Sequence, residues 1–299
     1  MSMPFYVSPE QAMRDKADYA RKGVARGRSS VALQYAGGIL MVTPNASSVL
    51  YKISELYDRI AFAAVGRYNE YENLRKAGVT YADVTGYQFD RHDVTARGIA
   101  NWYAQTLGTI FTESPKPFEV EIVVAEVGLT PDTDQIYRIT WDGSVSDEPG
   151  FAAFGGQADQ VAAHLKERFH DGMSLTEALG AALAALAAPP AGSSSGSSPG
   201  SSSSAANGEQ AGLTAAQLEV AILDRARAHR TFRRLRGARL EELLAESRSG
   251  ASGGSGASGG SGASGGAAAG SGAGPASAAE GDEPPTGPAP GSGDGTPKA

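Results

Sequence analysis

The chain has 299 residues, including 39 glycines and no cysteine, and its net charge is −7. Residues 189–211 and 248–299 hold 21 of those glycines and almost no large apolar side chain, so they cannot offset the entropy of being ordered, and 224 residues remain for a folded core. That remainder carries a net charge of −4, which gives no reason to expect nucleic acid or an anionic membrane as a partner, while the absence of cysteine excludes disulfides, thiolate metal sites and a thiol nucleophile.

The first predicted element is a helix over residues 9–23. Ser8 is a favourable N-cap, Pro9 occupies the first helical position, and Gly23 is a stop signal after a basic residue. The later elements follow from apolar periodicities of two and of 3.6 residues. In chain order they are a hairpin of strands 29–35 and 39–43, a strand at 59–65, helices at 68–84 and from Asp93 through Phe111, strands at 119–127, 135–141 and 151–154, helices at 159–169 and 175–188, strands at 218–223 and 231–235, and a helix at 238–246.

Two local signals refine this order. Asp142-Gly143 predicts a tight turn between the strands at 135–141 and 151–154. Ser174 and Glu177 form a capping box at the start of the helix at 175–188. Pairs of helices that alternate with groups of antiparallel strands indicate an α+β sandwich, in which two antiparallel sheets are enclosed between two helix layers.

Isolated motifs give little support to other functions. The four histidines show no metal-binding spacing, and we expect them to be exposed. The acid pairs Asp132/Asp134 and Asp147/Glu148 occur in turn-like sequence, where we expect solvated loop acids. Seven arginines crowd residues 225–239, and this run favours a solvated or subunit-contact face over nucleic-acid binding because acids lie nearby.

The amino-terminal residues lack the apolar run of a signal peptide, and no stretch approaches 18 apolar residues. We therefore expect a cytoplasmic protein with no membrane partner and no cofactor. The domain organisation predicted from composition is an N-terminal tail at 1–8, one domain built from 9–188 and 212–247, a disordered Ser/Gly insert at 189–211 and a disordered tail at 248–299.

Several segments together resemble one family, the α-type subunit of the 20S proteasome in its actinobacterial form. They keep the family's order over residues 4–244 and are Ser8–Met13, Val31–Gly38, Lys52–Arg59, Tyr103–Glu113 and Tyr137–Ser144. The resemblance implies the family's four-layer αββα sandwich, which is Ntn-hydrolase-like, with an additional N-terminal helix formed here by residues 9–23.

The resemblance also implies that this subunit is not catalytic. In the family, the β-type subunits carry an N-terminal threonine nucleophile, supported by an Asp and a Lys. The threonine position falls at about Arg28 and the Asp position near Pro44, so that only Lys52 survives. Arg28 is neither terminal nor hydroxylated and cannot supply a hydroxyl nucleophile with a free α-amine. The rival hypothesis is an amidohydrolase of the same sandwich, activated by processing that exposes a nucleophile.

By resemblance, the chain forms a homo-heptameric ring that templates a β-subunit ring, and its N-terminal tails gate substrate entry. The tail is apolar enough to pack with its neighbours, and its residues are Met3, Pro4, Phe5, Tyr6, Val7 and Ser8. The Tyr-Asp-Arg gate motif of archaeal and eukaryotic relatives is absent from this segment.

The family's docking pocket lies between adjacent α subunits and receives the C-terminal tails of an activator. For this chain the resemblance implies a hexameric AAA ATPase serving a Pup-type tagging pathway. The lysine that meets the tail's terminal carboxylate corresponds to Lys52, and Gly66 corresponds to the glycine that lets the tail's backbone approach. We expect several tails to dock at once, since each alone binds weakly.

Overall fold

A computed structural model describes residues 8–188 and 213–252, with side chains to residue 249. Its helices are α1 (Pro9–Ala25), α2 (Tyr68–Gln88), α3 (Ala96–Glu113), α4 (Ala158–Arg168), α5 (Leu175–Ala187) and α6 (Gly237–Ser252). Its strands are β1 (Ser30–Tyr35), β2 (Gly38–Pro44), β3 (Ile53–Tyr57), β4 (Ile60–Gly66), β5 (Val120–Glu126), β6 (Gln135–Ile139), β7 (Val145–Asp147), β8 (Phe151–Phe154), β9 (Leu218–Asp224) and β10 (Phe232–Leu235).

The strands form two five-stranded antiparallel sheets. One has the order β10-β9-β2-β1-β8 and the other the order β3-β4-β5-β6-β7. Alternation along β1 sends Val31 and Leu33 toward α4, α5 and α6, and sends Ala32 into the core between the sheets. The second sheet packs its outer face on α2 and α3 through Phe62, Tyr103 and other apolar residues. The four layers αββα that the sequence predicts are confirmed.

The N-terminal helix is longer than predicted. Ser8 caps it by accepting a hydrogen bond from the Gln11 amide at 3.3 Å, as expected. The helix then continues through Gly23 to Ala25, because Gly23 allows close packing of the helix on the Glu119 carboxylate instead of ending it. The chain leaves α1 at Gly27 and enters β1 directly.

Three other boundaries differ from the prediction. The cap of α3 is Thr95, whose hydroxyl accepts from the Gly98 amide, whereas Asp93 ends a short 3-10 turn. The Asp142-Gly143 turn joins β6 to β7, and β8 belongs to the other sheet. The final helix extends to Ser252. No helix among the described residues is long and apolar enough to cross a membrane.

Candidate functional site

Lys52 lies in the segment that leads into β3, at the end of the sheet where β4 finishes. Its carbonyl oxygen accepts a hydrogen bond from the Ala64 amide at 3.0 Å, and its ammonium donates to the Pro44 carbonyl oxygen at 3.2 Å. Burial lowers the pKa of Lys52; the Glu219 carboxylate opposes this shift and Arg28 adds to it. A carboxylate brought to this ammonium would therefore favour the charged form that burial disfavours.

The carboxylate of Glu219, on β9, holds the backbone around Lys52. Its side chain is only 5% exposed. One oxygen accepts from the Lys52 amide at 2.9 Å and from the Asn45 side chain at 2.8 Å, and the other accepts from the Ile53 amide at 3.1 Å and from Arg234. Four donors thus compensate the buried charge and fix the direction in which Lys52 leaves the sheet. The sequence identified Glu219 only as an acid near the arginine run.

Gly66 ends β4 two residues beyond Ala64, so it lies at the same end of the β3–β4 hairpin as Lys52. Its φ is +123°, and a Cβ atom there would lie 1.9 Å from the Glu119 carbonyl oxygen. Close pairing with β5 therefore already requires glycine at this position. A role of Gly66 toward a docking partner stays a prediction.

A polar network beside Gly66, which no sequence pattern indicates, joins two buried carboxylates, Glu70 and Glu119, to the exposed cations Arg67 and Lys116. The Lys116 ammonium lies 2.7 Å from Glu70 and 3.3 Å from Glu119, and Arg67 lies 3.0 Å from Glu119. Glu70 also accepts the Glu119 amide hydrogen at 2.7 Å. The network joins α2, the loop before β5 and the packing surface of α1 at Gly23, and it thereby fixes the position of α1 near the candidate site. No local motif marks it, since its bonds between Glu70 and the segment 116–119 join parts of the chain about 50 residues apart.

The structure also describes the region where the resemblance places the catalytic residues. Arg28 is exposed, and α1 precedes it in the chain. The nearby hydroxyls of Ser30 and Thr43 are both buried and lie 2.7 Å apart, bonded to each other. These hydroxyls are therefore closed to substrate, and neither carries a free α-amine that could act as a base.

The arginine run is largely neutralised within the chain. Among the residues that the structure describes, five of its seven members form ion pairs, which are Arg225–Asp134, Arg230–Glu55, Arg233–Asp224, Arg234–Glu219 and Arg239–Glu242. Arginines that already hold carboxylates are poorly placed to release counterions from a nucleic acid. The ion pairs thus argue against nucleic-acid binding by this run, and the expectation of a solvated face is wrong for Arg225 and Arg234, whose side chains are 13% and 16% exposed.

The expectation of solvated loop acids is wrong for Asp134. Its side chain is 3% exposed and accepts hydrogen bonds from both terminal nitrogens of Arg225, at 2.8 and 2.7 Å, and from the Gly128 amide at 2.8 Å. Asp132 and Asp147 are exposed as expected. The correction follows from a partner 91 residues away in sequence, which turn-like composition does not reveal.

The four histidines and the predicted gate residues complete the comparison of the predicted residues with the structure. His92, His170 and His229 are exposed, whereas His164 is half-buried on α4. Within the described ranges, no group of three or more His, Asp or Glu side chains is arranged to hold a metal ion. Of the predicted gate residues, Ser8 is the cap of α1, and the others lie outside the described part of the chain: Met3, Pro4, Phe5, Tyr6 and Val7.

Comparison with known proteins gives a consistent result. A family model described as "Proteasome subunit" matches residues 24–195. The chain is similar to the protein named "Proteasome subunit alpha" of Thermobifida fusca, with 61% identity over 247 residues, covering 83% of this chain and 92% of the relative. Proteins of the same name from Thermomonospora curvata and Streptosporangium roseum are 62% and 63% identical, covering 82% of this chain and 99% and 88% of the relatives.

The matched region begins inside α1 and includes β1 to β8 with both central helix pairs, so it contains Lys52, Gly66 and the network around Glu119. The alignments with the named relatives span more than four fifths of the chain. Identity of this extent, together with the αββα layers, shows that the chain belongs to the proteasome subunit family, among the α-type subunits found in actinobacteria.

Proposed function

We propose that the chain is a non-catalytic α subunit of a 20S proteasome core, assembled in a ring that stacks on a ring of β subunits. The observation that carries this proposal is α1, a 17-residue helix directly upstream of β1. With α1 in place, Arg28 lies inside the chain and has no hydroxyl, so the nucleophile of a catalytic subunit has no counterpart there. The buried pair Ser30 and Thr43 offers no substitute.

The test is reconstitution. The purified chain alone should not hydrolyse peptides, and co-expression with its β partner should give barrels that do, visible as stacked rings by particle imaging. Hydrolysis by the chain alone that is abolished by a substitution within it would overturn the proposal and support the amidohydrolase hypothesis. Mass spectrometry of the mature N-terminus provides an independent check, because that rival requires removal of the residues before the nucleophile.

The organisation predicted from composition is part of the proposal, with one domain formed by 9–188 and 212–247 and with 189–211 and 248–299 as appendages, except that residues 248–252 belong to α6. Its support is that β9, which follows the insert, pairs with β2 over seven residues from Gly38↔Asp224 to Pro44↔Leu218. The chain on both sides of the insert therefore contributes to one sheet. An appendage should be removable, so a chain lacking residues 192–208 should keep its cooperative unfolding transition.

An exposed aromatic surface at the end of α2 supports a contact with another subunit. Tyr87 is 91% exposed and Phe89 is 73% exposed, with Val84 on the same helix also exposed. Large apolar side chains that are exposed as a group mark interaction surfaces, whereas singly scattered exposed apolar side chains are ordinary. Replacing Tyr87 and Phe89 by serine should therefore reduce assembly of the particle without unfolding the subunit. Tyr19→Ser, which changes an exposed aromatic side chain on α1, is the matched control.

The gating part of the proposal assigns residues 1–8 to the entrance of a heptameric ring. Ser8 anchors this tail, since its hydroxyl caps α1. A deletion of residues 2–7 keeps the cap and should accelerate entry of peptides into the assembled particle. An unchanged rate of peptide hydrolysis would contradict the gate, and a drop in the stability of α1 would show that the deletion affected the fold.

The docking part assigns Lys52 to the terminal carboxylate of a tail from a hexameric ATPase activator, in a Pup-type degradation pathway, with Gly66 beside it. The supporting geometry is the half-buried ammonium fixed by Pro44 and by the Glu219 hydrogen bonds to the adjacent backbone. Lys52→Ala should abolish stimulation by the activator and leave basal peptide hydrolysis unchanged. Lys76→Ala, at an exposed lysine on α2, is the control. Retained stimulation in Lys52→Ala would refute this docking role.

A further inference from the structure

Arg28 lies in the short connection formed by residues 26–29 between α1 and β1. The residue before it, Gly27, packs against the end of β4, because a Cβ atom there would lie 3.7 Å from the amide nitrogen of Gly66. The same strand holds Lys52 through the hydrogen bond from the Ala64 amide to its carbonyl oxygen. The connection that carries Arg28 therefore crosses the end of the sheet at which the candidate docking residues lie.

Strand β2 brings Arg28 to the same edge by a second route. The side chain of Ser30, two residues after Arg28, is hydrogen-bonded to that of Thr43 at 2.7 Å. The next residue, Pro44, accepts a hydrogen bond from the Lys52 ammonium at 3.2 Å through its carbonyl oxygen. Because antiparallel strands run in opposite directions, the residues before Ser30 continue alongside those after Thr43. Arg28 is thus across from the segment that holds the Lys52 ammonium.

The charges at this edge do not balance. Glu219 favours the charged form of Lys52, but its carboxylate already serves four donors and is paired with Arg234. Arg28 is exposed and acts on Lys52 as a like charge, adding to the lowering of its pKa. Neither Arg28 nor Lys52 forms an ion pair with any residue that the structure describes. Two cations therefore share one edge, and neither has a carboxylate of its own.

The polar network beside Gly66 does not supply the missing negative charge. Its two carboxylates, Glu70 and Glu119, are matched by two cations, Lys116 and Arg67, at distances from 2.7 to 3.3 Å. Among the charged groups described around this edge, the carboxylates are thus already committed to other partners. A negative group that neutralises the two cations has to come from a binding partner.

A terminal carboxylate matches this pair of cations. An ammonium has three donor hydrogens, of which that of Lys52 directs one to Pro44, and a planar guanidinium offers a fork of donors to the second oxygen. A carboxylate held by both cations also offsets their mutual repulsion, which a neutral chain end does not. We infer that Arg28 is the second cation of the docking site and binds the terminal carboxylate of the activator tail together with Lys52. This inference rests on the docking role proposed above and makes Arg28 a residue that selects a charged chain end.

The test is a titration of the full-length chain with N-acetyl-alanyl-alanine, whose carboxylate is free, and with the C-terminal amide of the same dipeptide. The backbone amide signals of Lys52 and Ile53 in two-dimensional NMR report binding. Arg28→Gln should weaken binding of the free acid about fivefold, the range of an exposed ion pair, and leave binding of the amide unchanged. Arg28→Lys should recover most of the affinity. Arg26→Gln, at an exposed arginine of the same connection, is the control and should change the affinity by less than about twofold.

A second measurement uses the assembled particle and its ATPase activator. When several tails dock at once, the loss for each tail multiplies. At low salt, Arg28→Gln should therefore raise the activator concentration that gives half-maximal stimulation by more than about tenfold. The difference should shrink at about 1 M salt, where the Debye length is only about 3 Å.

The outcomes separate this inference from the docking role of Lys52. If Arg28→Gln binds the free acid as tightly as the wild type while Lys52→Ala does not, the inference is overturned and the docking role stands. An equal loss of affinity for the acid and for the amide would also overturn it, because Arg28 would then act on the shape of the site. Equal binding of acid and amide by the wild-type chain would refute the docking role itself.

Discussion

Glu219 is the most informative residue to change, because its carboxylate connects β9, in the core, by hydrogen bonds to the segment that carries Lys52. Glu219→Gln preserves the shape of the side chain but replaces one carboxylate oxygen by an NH2 group. Because two donors point at each oxygen in the wild type, this NH2 group would face two other donors. It also leaves Arg234, which is 16% exposed, without its counter-charge. Removing one partner of a buried ion pair costs about 3–5 kcal/mol. Arg234 keeps a 2.7 Å hydrogen bond to the Ile53 carbonyl oxygen, which favours the lower end of that range.

The expected loss of about 3 kcal/mol in the free energy of unfolding corresponds to a decrease in Tm of about 6–12 °C for a domain of this size. The measurement is urea unfolding of the isolated chain, with the subunit concentration held constant because assembly would add its own stability. Glu242→Gln is the control, since it breaks an ion pair with Arg239 in which both side chains are 59% exposed. Such a pair should contribute less than about 1 kcal/mol.

A double-mutant cycle with Arg234→Gln completes the experiment. If Glu219 stabilises the fold through Arg234, the double variant should be less destabilised than the sum of the single variants, by at least about 1 kcal/mol. A Glu219→Gln variant within about 0.5 kcal/mol of the wild type would refute the argument that these four hydrogen bonds fix the Lys52 segment. Destabilisation without coupling to Arg234 would assign the effect to the other three donors, which are the Lys52 and Ile53 amides and the Asn45 side chain.

Three further predictions concern single residues. Gly66→Ala should destabilise the chain by about 2–4 kcal/mol in urea unfolding, since the positive φ and the contact with the Glu119 carbonyl both exclude a Cβ; a loss under 1 kcal/mol would contradict this. Asp134→Asn should cost about 3–5 kcal/mol by leaving its buried arginine unpaired, whereas Asp132→Asn, at an exposed neighbour, should change the stability by less than about 0.5 kcal/mol. Burial raises the pKa of Glu126 above its ordinary value, so the folded state binds a proton there more tightly than the unfolded state. The stability gained from this protonation is complete below the ordinary pKa and is lost as the pH rises through the raised pKa. The stability of Glu126→Gln relative to the wild type should therefore increase from pH 4 to pH 7, and a flat difference would refute the assigned shift.

The sequence determined those elements whose signals are local. The cap at Ser8, the hairpin of β1 and β2, the capping box of α5 and the order of helix pairs and strand groups were all predicted and are confirmed. These features depend on contacts within a few residues, so composition and periodicity record them. The layered αββα arrangement followed because amphipathic helices and half-buried strands have few ways to cover their apolar faces.

Two strands were missed for identifiable reasons. In β3 the pairing with β4 shifts between Glu55 and Tyr57, and this irregularity breaks the alternation that marks a strand. The three residues of β7 are all exposed, so no apolar pattern distinguishes them from a loop. Only pairing with β6 makes them a strand. For that reason the sequence predicts that the Asp142-Gly143 turn leads to the strand at 151–154, whereas it leads to β7.

The candidate site shows the same division between sequence and structure. Sequence similarity to a family indicated Lys52 and Gly66, and no local pattern would have done so. Only the tertiary structure revealed that Glu219 holds the Lys52 segment and that Asp134 is buried against Arg225. The physical reason is that a carboxylate is stable in the interior only where donors converge on it, and here those donors come from distant parts of the chain. The sequence by itself thus determined the elements with local signals and the family, whereas long-range packing alone decided which charged residues are structural and which remain free to meet a partner.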